Sequence, residues 1–411
     1  MFKKLLSFEE AKKVIDANFE PASLGEEESV LLEVYNRVSS RDIISSFEIP
    51  PYNTSTVTGY AIKAEDTIGA NENEPVTLKI IGCLGFGEAF NQPIGKDEAV
   101  EVVFGSVIPE GSDAVISLQD IEREDDTLNV FRVAESNQNI QKKGSDIRKD
   151  TVIFESGQLL GASEIGVLAS LRMNQVKVKR LPMVAVLSVS NEELLLASSY
   201  SPVRPCEVAS HNVFAAVIES GAKPVYLGVM PKDNFQILHM LKTAINSTDI
   251  VIVCGNSDNS EIVNALGKPG IVVNGIAIKP GKTTAVGFVD GKPVFFLPED
   301  PTVALLLYVL FIKSLVQRLG GRPVSVIKTV KALSGSRMFS AKGHRKFIMV
   351  KLSFDKNCRL IADPIDTTGY LSALIEACGF IEITENKNYI DIDQEVEVYL
   401  FRGYASNASS F

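Results

Sequence analysis

The chain has 411 residues, of which 45% are hydrophobic and 22% are charged, and its formal net charge is −10. This length allows two to four domains, and the composition is that of a globular protein. The acidic balance excludes nucleic acid as the expected partner. No apolar run approaches about 18 residues and the N-terminus lacks a signal-peptide pattern, so we expect a cytoplasmic protein without a membrane partner.

Cysteine and histidine patterns exclude several kinds of site. The five cysteines are scattered without C-x-x-C spacing, and the histidines stand only at 211, 239 and 344. A disulfide framework, a structural zinc site and a His-rich metal site are therefore excluded. A Ser-His-Asp triad could draw its histidine from only three positions.

The predicted secondary structure of the N-terminal part changes from helices to short strands along the chain. The spacing of apolar residues predicts a helix over 7–19 and a second helix at the start of 29–45, followed by an extended exit. Short β-like runs with Gly, Pro and Asn turns fill 47–146 and predict a mostly β domain. A further helix is predicted from 162 to 171.

Strands and helices alternate from 182 to 321. Apolar strands at 182–190, 223–230, 249–256 and 292–300 lie between helices at 211–221 and 234–247, and a long helix follows at 302–321. This order predicts a parallel α/β sheet covered on both faces. Ligands of such sheets bind at the carboxyl ends of the strands, here 188–193, 228–233, 255–261 and 297–301. From 327 onward β-like runs predict a C-terminal β domain.

The stretch IAIKPGKTTAVG (276–287) contains Gly-Lys-Thr, the end of a phosphate-binding loop. That loop requires G-x-x-x-x-G-K-S/T before a helix. The first glycine would fall on Ile276, and the residues after Thr283 favour a strand. We therefore set aside a P-loop NTPase.

Eight stretches, in order along the chain, resemble the MoeA family of molybdopterin molybdenumtransferases, which includes the E domain of gephyrin. They are IPPYNTSTVTGYAI (49–62), GSVIPEGSDAVI (105–116), NQNIQKKGSDI (137–147), VAVLSVSNEEL (184–194), DIVIVCGNSDNSE (249–261), the lysine-containing stretch at 276–287, FLPEDPTVAL (296–305) and TTGYLSALIEACGFIEI (367–383).

The resemblance implies a multidomain α/β and β fold. It implies a MoaB/MogA-like three-layer α/β domain that binds substrate (7–26 and 178–326) and a dimer-contacting domain (27–46 and 147–177). A lever-like β domain (47–146) and a C-terminal β domain (327–411) complete the chain. It also implies a homodimer that inserts molybdate into adenylylated molybdopterin with Mg²⁺ and releases AMP. The molybdopterin adenylyltransferase is then a candidate partner.

Residues that match the family motifs are the candidate site residues. For substrate binding they are Lys279, Lys282, Gly281, Gly255, Asn212, Pro298, Pro301, Lys142 and Lys143. Phosphate and molybdate need cationic groups or N–H donors, and a glycine lets backbone approach a ligand. Glu192, Asp146 and Asp233 are the candidate catalytic acids, and Glu192 and Asp233 are the candidate Mg²⁺ ligands.

Other motif positions have lost the family residue. Thr58, Asn191 and Ser210 stand where the family has aspartate, and Phe104 replaces a threonine. Glu299 and Asp300 replace Gly-Asn, which brings two negative charges to a place where the family admits an oxyanion.

Two hypotheses follow from these substitutions: a divergent transferase, or a catalytically lapsed paralogue that acts as a ligand-binding or scaffold dimer. The orientation of the Glu299 and Asp300 side chains distinguishes the two hypotheses. If they point into the substrate-binding cleft they repel an anion, which weakens the transferase hypothesis.

Overall fold

The computed structural model describes residues 5–190, 207–255, 260–324, 326–365 and 371–401. The chain divides into two compact units. Unit 1 comprises Met1–Ser40, Gly157–Ile165 and Gln175–Phe411, and unit 2 comprises Arg41–Ser156 and Gly166–Asn174.

Helices in the described residues are short, apart from one composite helix near residue 310. They are α1 (Phe8–Asn18), α2 (Ala162–Ser170), α3 (Ala209–Glu219), α4 (Asn234–Ser247), α5 (Ser260–Leu266), α6 (Pro301–Leu307), α7 (Lys313–Leu319) and α8 (Ala373–Glu376). A π-helical segment, Tyr308–Ile312, joins α6 to α7, and 3₁₀ turns lie at Leu31–Glu33, Ala64–Thr67 and Leu118–Asp120.

Strands in chain order are β1 (Glu26–Val30), β2 (Ile43–Ile44), β3 (Thr54–Ser55), β4 (Gly59–Ile62), β5 (Val76–Leu84), β6 (Glu98–Val102), β7 (Ala114–Ser117), β8 (Ile121–Glu124), β9 (Thr127–Val130), β10 (Ile140–Gln141), β11 (Val152–Phe154), β12 (Gln175–Lys179), β13 (Met183–Val189), β14 (Lys223–Met230), β15 (Ile250–Gly255), β16 (Pro269–Asn274), β17 (Ile278–Lys279), β18 (Ala285–Val289), β19 (Lys292–Leu297), β20 (Thr329–Ser334), β21 (Met338–Phe339), β22 (Arg345–Phe354), β23 (Leu360–Pro364), β24 (Gly379–Ile383), β25 (Tyr389–Ile390) and β26 (Glu395–Leu400).

The α/β sheet of unit 1 has the strand order β14-β13-β15-β19-β18-β16. The first four strands are parallel, and β18 and β16 run antiparallel to their neighbours. The four strands on which the prediction of a parallel sheet rests are parallel, and β18 and β16, whose direction was not predicted, extend the sheet with antiparallel pairs. Residues of β13 alternate between two cores, Val184 and Val186 in one and Ala185 and Leu187 in the other. Both faces of the sheet are thus covered, as predicted.

The composite helix α6–α7 belongs to the core of unit 1. With its π-helical segment it runs from Pro301 to Leu319 and is long and apolar enough to cross a membrane by composition alone. Leu306, Leu307, Phe311 and Ile312 are nevertheless almost completely buried in the larger core. The apolar surface of this helix is therefore used for packing within the protein.

The C-terminal sheet has the strand order β17-β22-β23-β20-β26-β24, and β24 also pairs with β22. The buried guanidinium of Arg345 on β22 joins this sheet to α1. It lies 2.8 Å from Glu9 and 3.1 Å from both Glu382 and Glu385, and it stacks over the Phe8 ring at 4.6 Å. Burial raises the pKa of the Glu382 carboxyl.

Unit 2 is built around a sheet of order β7-β4-β6-β5-β9-β8, which confirms the predicted β character of this region. Tyr60 and Ile62 of β4 pack on one face of the sheet, and Ala61 packs on the other. Two short pairs, β3–β10 and β2–β11, complete the unit.

The helix predicted at the start of 29–45 is wrong. This stretch contains the end of β1, a 3₁₀ turn and β2. Strand β1 pairs antiparallel with β12, more than 140 residues away, with Glu26 opposite Lys179. Leu32 and Tyr35, two large apolar residues of this stretch, are 85% and 60% exposed. A long-range pairing overrides the local helical preference here.

Candidate active site

The parallel strands of unit 1 end at one edge, where the sequence predicts the site. Strands β13, β14, β15 and β19 end at Val189, Met230, Gly255 and Leu297. The start of β18 pairs with the end of β19, Ala285 opposite Phe296, so the turn before β18 lies at the same edge. We call this turn, residues 278–284, the lysine turn.

The lysine turn holds Lys279 and Lys282 at the surface around a buried Gly281. Gly281 has φ +104°, and a Cβ there would lie 3.0 Å from Leu307 of α6. The Gly281 carbonyl accepts hydrogen bonds from the Thr284 N–H at 3.1 Å and the Thr284 hydroxyl at 2.7 Å. A strand, β18, follows the turn, which confirms that this is not a P-loop.

A third lysine, which the sequence analysis missed, joins this turn. β17 pairs with β22 so that Lys279 lies opposite Lys346. Burial, and then the positive charge of Lys279, lower the pKa of the Lys346 amino group. The Lys346 ammonium donates to the Phe339 carbonyl at 2.7 Å. Only the pairing of β17 with β22, two strands of the C-terminal sheet that are far apart in the chain, brings these lysines together, so no local sequence signal points to Lys346.

Asp300 has a structural role at the N-terminus of α6. Its Oδ1 accepts the N–H groups of Thr302 and Val303 at 2.9 and 3.0 Å. This is the N-cap geometry that aspartate and asparagine both favour. Pro301 occupies the first turn of the helix, and Pro298 lies just after β19. Glu299 is exposed.

Asp233 caps a helix in the same way. It precedes α4, and its Oδ1 accepts the N–H groups of Phe235 and Gln236, both at 2.9 Å. Glu192, the other predicted Mg²⁺ ligand, and Asn191 lie outside the described residues. Within the described ranges, no three His, Cys, Asp or Glu side chains are grouped so as to hold a metal ion. The described acids therefore do not by themselves form a Mg²⁺ site.

Ser210 lies next to a buried carboxylate that the sequence analysis missed. The Glu207 side chain is only 6% exposed; it accepts the Ser210 N–H at 2.7 Å and the Ser210 hydroxyl, and it contacts His211 Nδ1 at 3.3 Å. Burial, and then the charge of Glu207, raise the pKa of the Cys254 thiol at the end of β15. An acid thus remains at the start of α3, three residues before the position where the family has one.

Gly255 and Asn212, two further candidates for substrate binding, have different surroundings. Gly255 has φ +112°, and a Cβ there would lie 2.2 Å from the Val189 carbonyl oxygen. Asn212 lines a cavity of about 160 Å³ beside Leu305 and Tyr308, and its Nδ2 is buried without a hydrogen-bond partner among the described residues. Asn212 and Gly281 thus both lie against the composite helix.

The remaining candidates belong to unit 2. Lys142 and Asp146 are exposed. The Lys143 ammonium lies 3.0 Å from Glu48, and the Lys143 N–H donates to Asn53 at 2.9 Å. The hydroxyl of Thr58 accepts the Phe104 N–H at 3.3 Å, and the Phe104 ring is 66% exposed. Two positions that differ from the family therefore contact each other.

Comparison with known proteins identifies the family. Residues 6–171 match the MoeA N-terminal region (domain I and II), and residues 331–401 match the MoeA C-terminal region (domain IV). The crystal structure of a molybdopterin biosynthesis MoeA protein from Pyrococcus horikoshii is 34% identical in sequence. It matches over 98% of this chain and 100% of that chain, with a TM-score of 0.84. The chain belongs to the MoeA family.

Two curated relatives extend this comparison. A protein of Methanocaldococcus jannaschii, named for molybdopterin biosynthesis, is 27% identical over 98% of this chain and 100% of its own length. A protein of Staphylococcus aureus named molybdopterin molybdenumtransferase is 28% identical over 77% of each chain. The resemblance and the fold class inferred from the sequence are thereby confirmed.

Proposed function

We propose that this protein is a molybdopterin molybdenumtransferase, which inserts molybdate into adenylylated molybdopterin and releases AMP. The relatives named for this activity support the proposal. The single structural observation that carries it is the lysine turn, where Lys279 and Lys282 are exposed beside a buried glycine at the carboxyl edge of the sheet.

In the proposed reaction the lysine turn binds the oxyanions. Molybdate and the phosphates of the substrate are negatively charged, and ammonium groups are strong donors to such oxygens. Lys346 adds a positive charge close to Lys279, which strengthens the attraction for an anion. The compact packing of Gly281 against Leu307 holds the backbone between the two lysines in place before the substrate arrives.

The structure removes one argument for a lapsed paralogue. Asp300 would disfavour an anion if its carboxylate pointed freely into the cleft. Instead, its Oδ1 accepts two N–H groups of its own helix, whose N-terminus carries partial positive charge. Asparagine, the family residue, would make the same contacts, so this substitution is compatible with an active enzyme.

We further propose that Mg²⁺ enters this site with the substrate. Mg²⁺ is commonly held by one or two carboxylates together with substrate phosphates. The described residues offer no group of three acids, which fits a site completed by the pyrophosphate of adenylylated molybdopterin. Glu192 and Asp233 remain the proposed protein ligands, Asp233 through the carboxylate oxygen that does not cap α4.

We also propose a cytoplasmic homodimer with the four domains inferred from the sequence. Val30, Leu32 and Tyr35, in the segment predicted to contact a second subunit, are between 50% and 85% exposed. Burial of such apolar side chains against a second copy would favour dimerisation. The molybdopterin adenylyltransferase, which would make the adenylylated substrate, is the proposed partner.

The test is AMP release from adenylylated molybdopterin by the purified protein, with and without molybdate and Mg²⁺. Release that depends on both supports the transferase. Absence of release, from a folded dimer assayed beside an active family member, would overturn the proposal and leave the lapsed paralogue as the better account.

A further inference from the structure

Unit 1 has a surface cavity of about 370 Å³ at the edge of the α/β sheet opposite the candidate active site. Lys179 and Arg180, which line it, lie just before β13 begins. The lysine turn lies at the edge where the parallel strands end. The seven residues of β13 separate these two edges by roughly 20 Å.

Positive side chains dominate the lining of this cavity. Lys179, Arg180 and Arg318 line it together with a single carboxylate, that of Glu26, and the uncharged residues of the lining are the loop 21–25, Ser40, Leu319 and Gly321. Neither Lys179 nor Arg180 has an ion-pair partner among the described residues. Three positive side chains and one carboxylate thus line this cavity, in a chain whose formal net charge is −10.

The structure shows the surroundings of two of the three cations. A Cβ added at Gly321 would lie 2.4 Å from the Lys179 ammonium nitrogen and 2.6 Å from its Cδ, so the lysine side chain lies directly on this glycine. Arg318 donates to Asp16 at 2.7 Å and stacks over the Phe19 ring at 5.2 Å. Because Arg318 is already paired and stacked, its side chain loses little freedom when it binds a ligand.

Stabilisation of the end of α7 does not by itself account for Lys179. A cation near a helix C-terminus can neutralise unpaired carbonyl groups. Here the carbonyls of Val316, Gln317 and Arg318 already accept the N–H groups of Gly320, Arg322 and Gly321. These three carbonyls therefore do not depend on the Lys179 ammonium group.

We propose that this cavity binds a phosphate group, at a site separate from the one that carries out molybdate insertion. Lysine and arginine side chains are the usual donors to phosphate oxygens, and the guanidinium of Arg180 can pair with two oxygens at once. The phosphate comes either from inorganic phosphate or from a nucleotide such as AMP. Both present the same charged oxygens to Lys179, Arg180 and Arg318.

The experiment is isothermal titration calorimetry of the full-length protein with inorganic phosphate and, separately, with AMP. Because phosphate can also bind at the lysine turn, the titrations are repeated in the Lys279→Gln/Lys282→Gln protein. Lys179→Gln and Arg180→Gln are then each added to that background. Lys223→Gln, which changes an exposed lysine at the start of β14, is the matched control. Circular dichroism and thermal melting establish that each variant is folded.

We expect the Lys279→Gln/Lys282→Gln protein still to bind one phosphate or AMP. Adding Lys179→Gln or Arg180→Gln should weaken this binding about tenfold, because each change removes one charge-assisted contact. Lys223→Gln should leave it unchanged. Tighter binding of AMP than of phosphate would identify a nucleotide as the source of the phosphate group.

Three results would overturn the proposal. One is the absence of binding to the Lys279→Gln/Lys282→Gln protein at about 10 mM ligand. Another is an affinity that Lys179→Gln and Arg180→Gln leave unchanged. The third is an equal loss in the Lys223→Gln control, which would indicate a general charge effect. None of these results bears on AMP release, so the proposed transferase is judged separately.

Discussion

The lysine turn and the turn around Asp300 lie at the same edge of the sheet, and both carry charges that the sequence places in the site. Lys279 and Lys282 are exposed and have no ion pair among the described residues. Asp300, by contrast, uses its carboxylate to cap α6. The effect of a charged residue on a ligand thus depends on the contacts that the residue has already made within the protein. The lysines remain available to an anion, whereas the charge of Asp300 is already stabilised by its own helix.

Replacing both lysines should have the largest effect. Each ammonium group that contacts an oxyanion contributes about 1.5–3 kcal/mol, so Lys279→Gln/Lys282→Gln should lower kcat/KM for AMP release about a hundredfold or more. Steady-state kinetics at saturating molybdate measure this effect. Lys223→Gln, the control, should retain full activity, and an active double variant would show that the lysine turn does not bind substrate.

Replacing Asp300 should change the free energy of unfolding more than it changes the affinity for molybdate. Asp300→Ala removes the cap of α6 and should lower the free energy of unfolding by about 1 kcal/mol, whereas Asp300→Asn should change it by a few tenths at most. Urea unfolding measures both. A tenfold gain in molybdate affinity in Asp300→Asn would mean that the carboxylate does act on the bound anion, contrary to our interpretation.

Replacing Glu299 should have a smaller effect on anion affinity, because its charge acts on the anion through solvent. Its side chain is exposed, so its repulsion of a bound anion is weak and screened by salt. Glu299→Gln should raise molybdate affinity at most about threefold in low salt, and the gain should vanish at about 0.5 M salt. A gain that persists in high salt would place Glu299 in contact with the anion.

The smallest effect concerns the ionisation of Lys346. Because Lys279 contributes to the lowered pKa of Lys346, Lys279→Gln should move this pKa back towards the ordinary lysine value. The return should be partial, since burial is the larger cause. NMR titration of lysine side-chain resonances measures the shift, with Lys282→Gln as the control. An unchanged pKa in Lys279→Gln would contradict the proximity of the two ammonium groups.

Several helices and strands could be predicted directly from the sequence. The helix predicted at 234–247 is α4 with the same bounds, and the strands predicted at 182–190 and 249–256 match β13 and β15 within a residue or two. These segments have strong periodic patterns and clear ends, so local information suffices. The start of 29–45 was misread because β1 is stabilised by β12, a partner that the local pattern does not contain.

The candidate site was predictable only in part. The positions of Gly255 and Pro298 at one edge follow from the order of strands and helices, because parallel strands end together. Lys279 and Lys282 reach the same edge because β18, which follows them, runs antiparallel to β19. The roles of the charged groups did not follow, since a sequence does not give hydrogen-bond partners. Asp233 and Asp300 became helix caps, while Glu207 emerged as a buried carboxylate beside Ser210.

The family, the order of the main elements and the carboxyl edge of the parallel strands as the place of the site could all be inferred from the amino-acid sequence. Periodicity and motif order carry this information, because they reflect local preference and shared descent of the fold. The folded chain was needed to reveal the pairing of β1 with β12, the approach of Lys346 to Lys279 and the grouping of Lys179, Arg180 and Arg318 around one cavity. These features depend on contacts between residues far apart in the chain, where the energy of packing and pairing outweighs local preference.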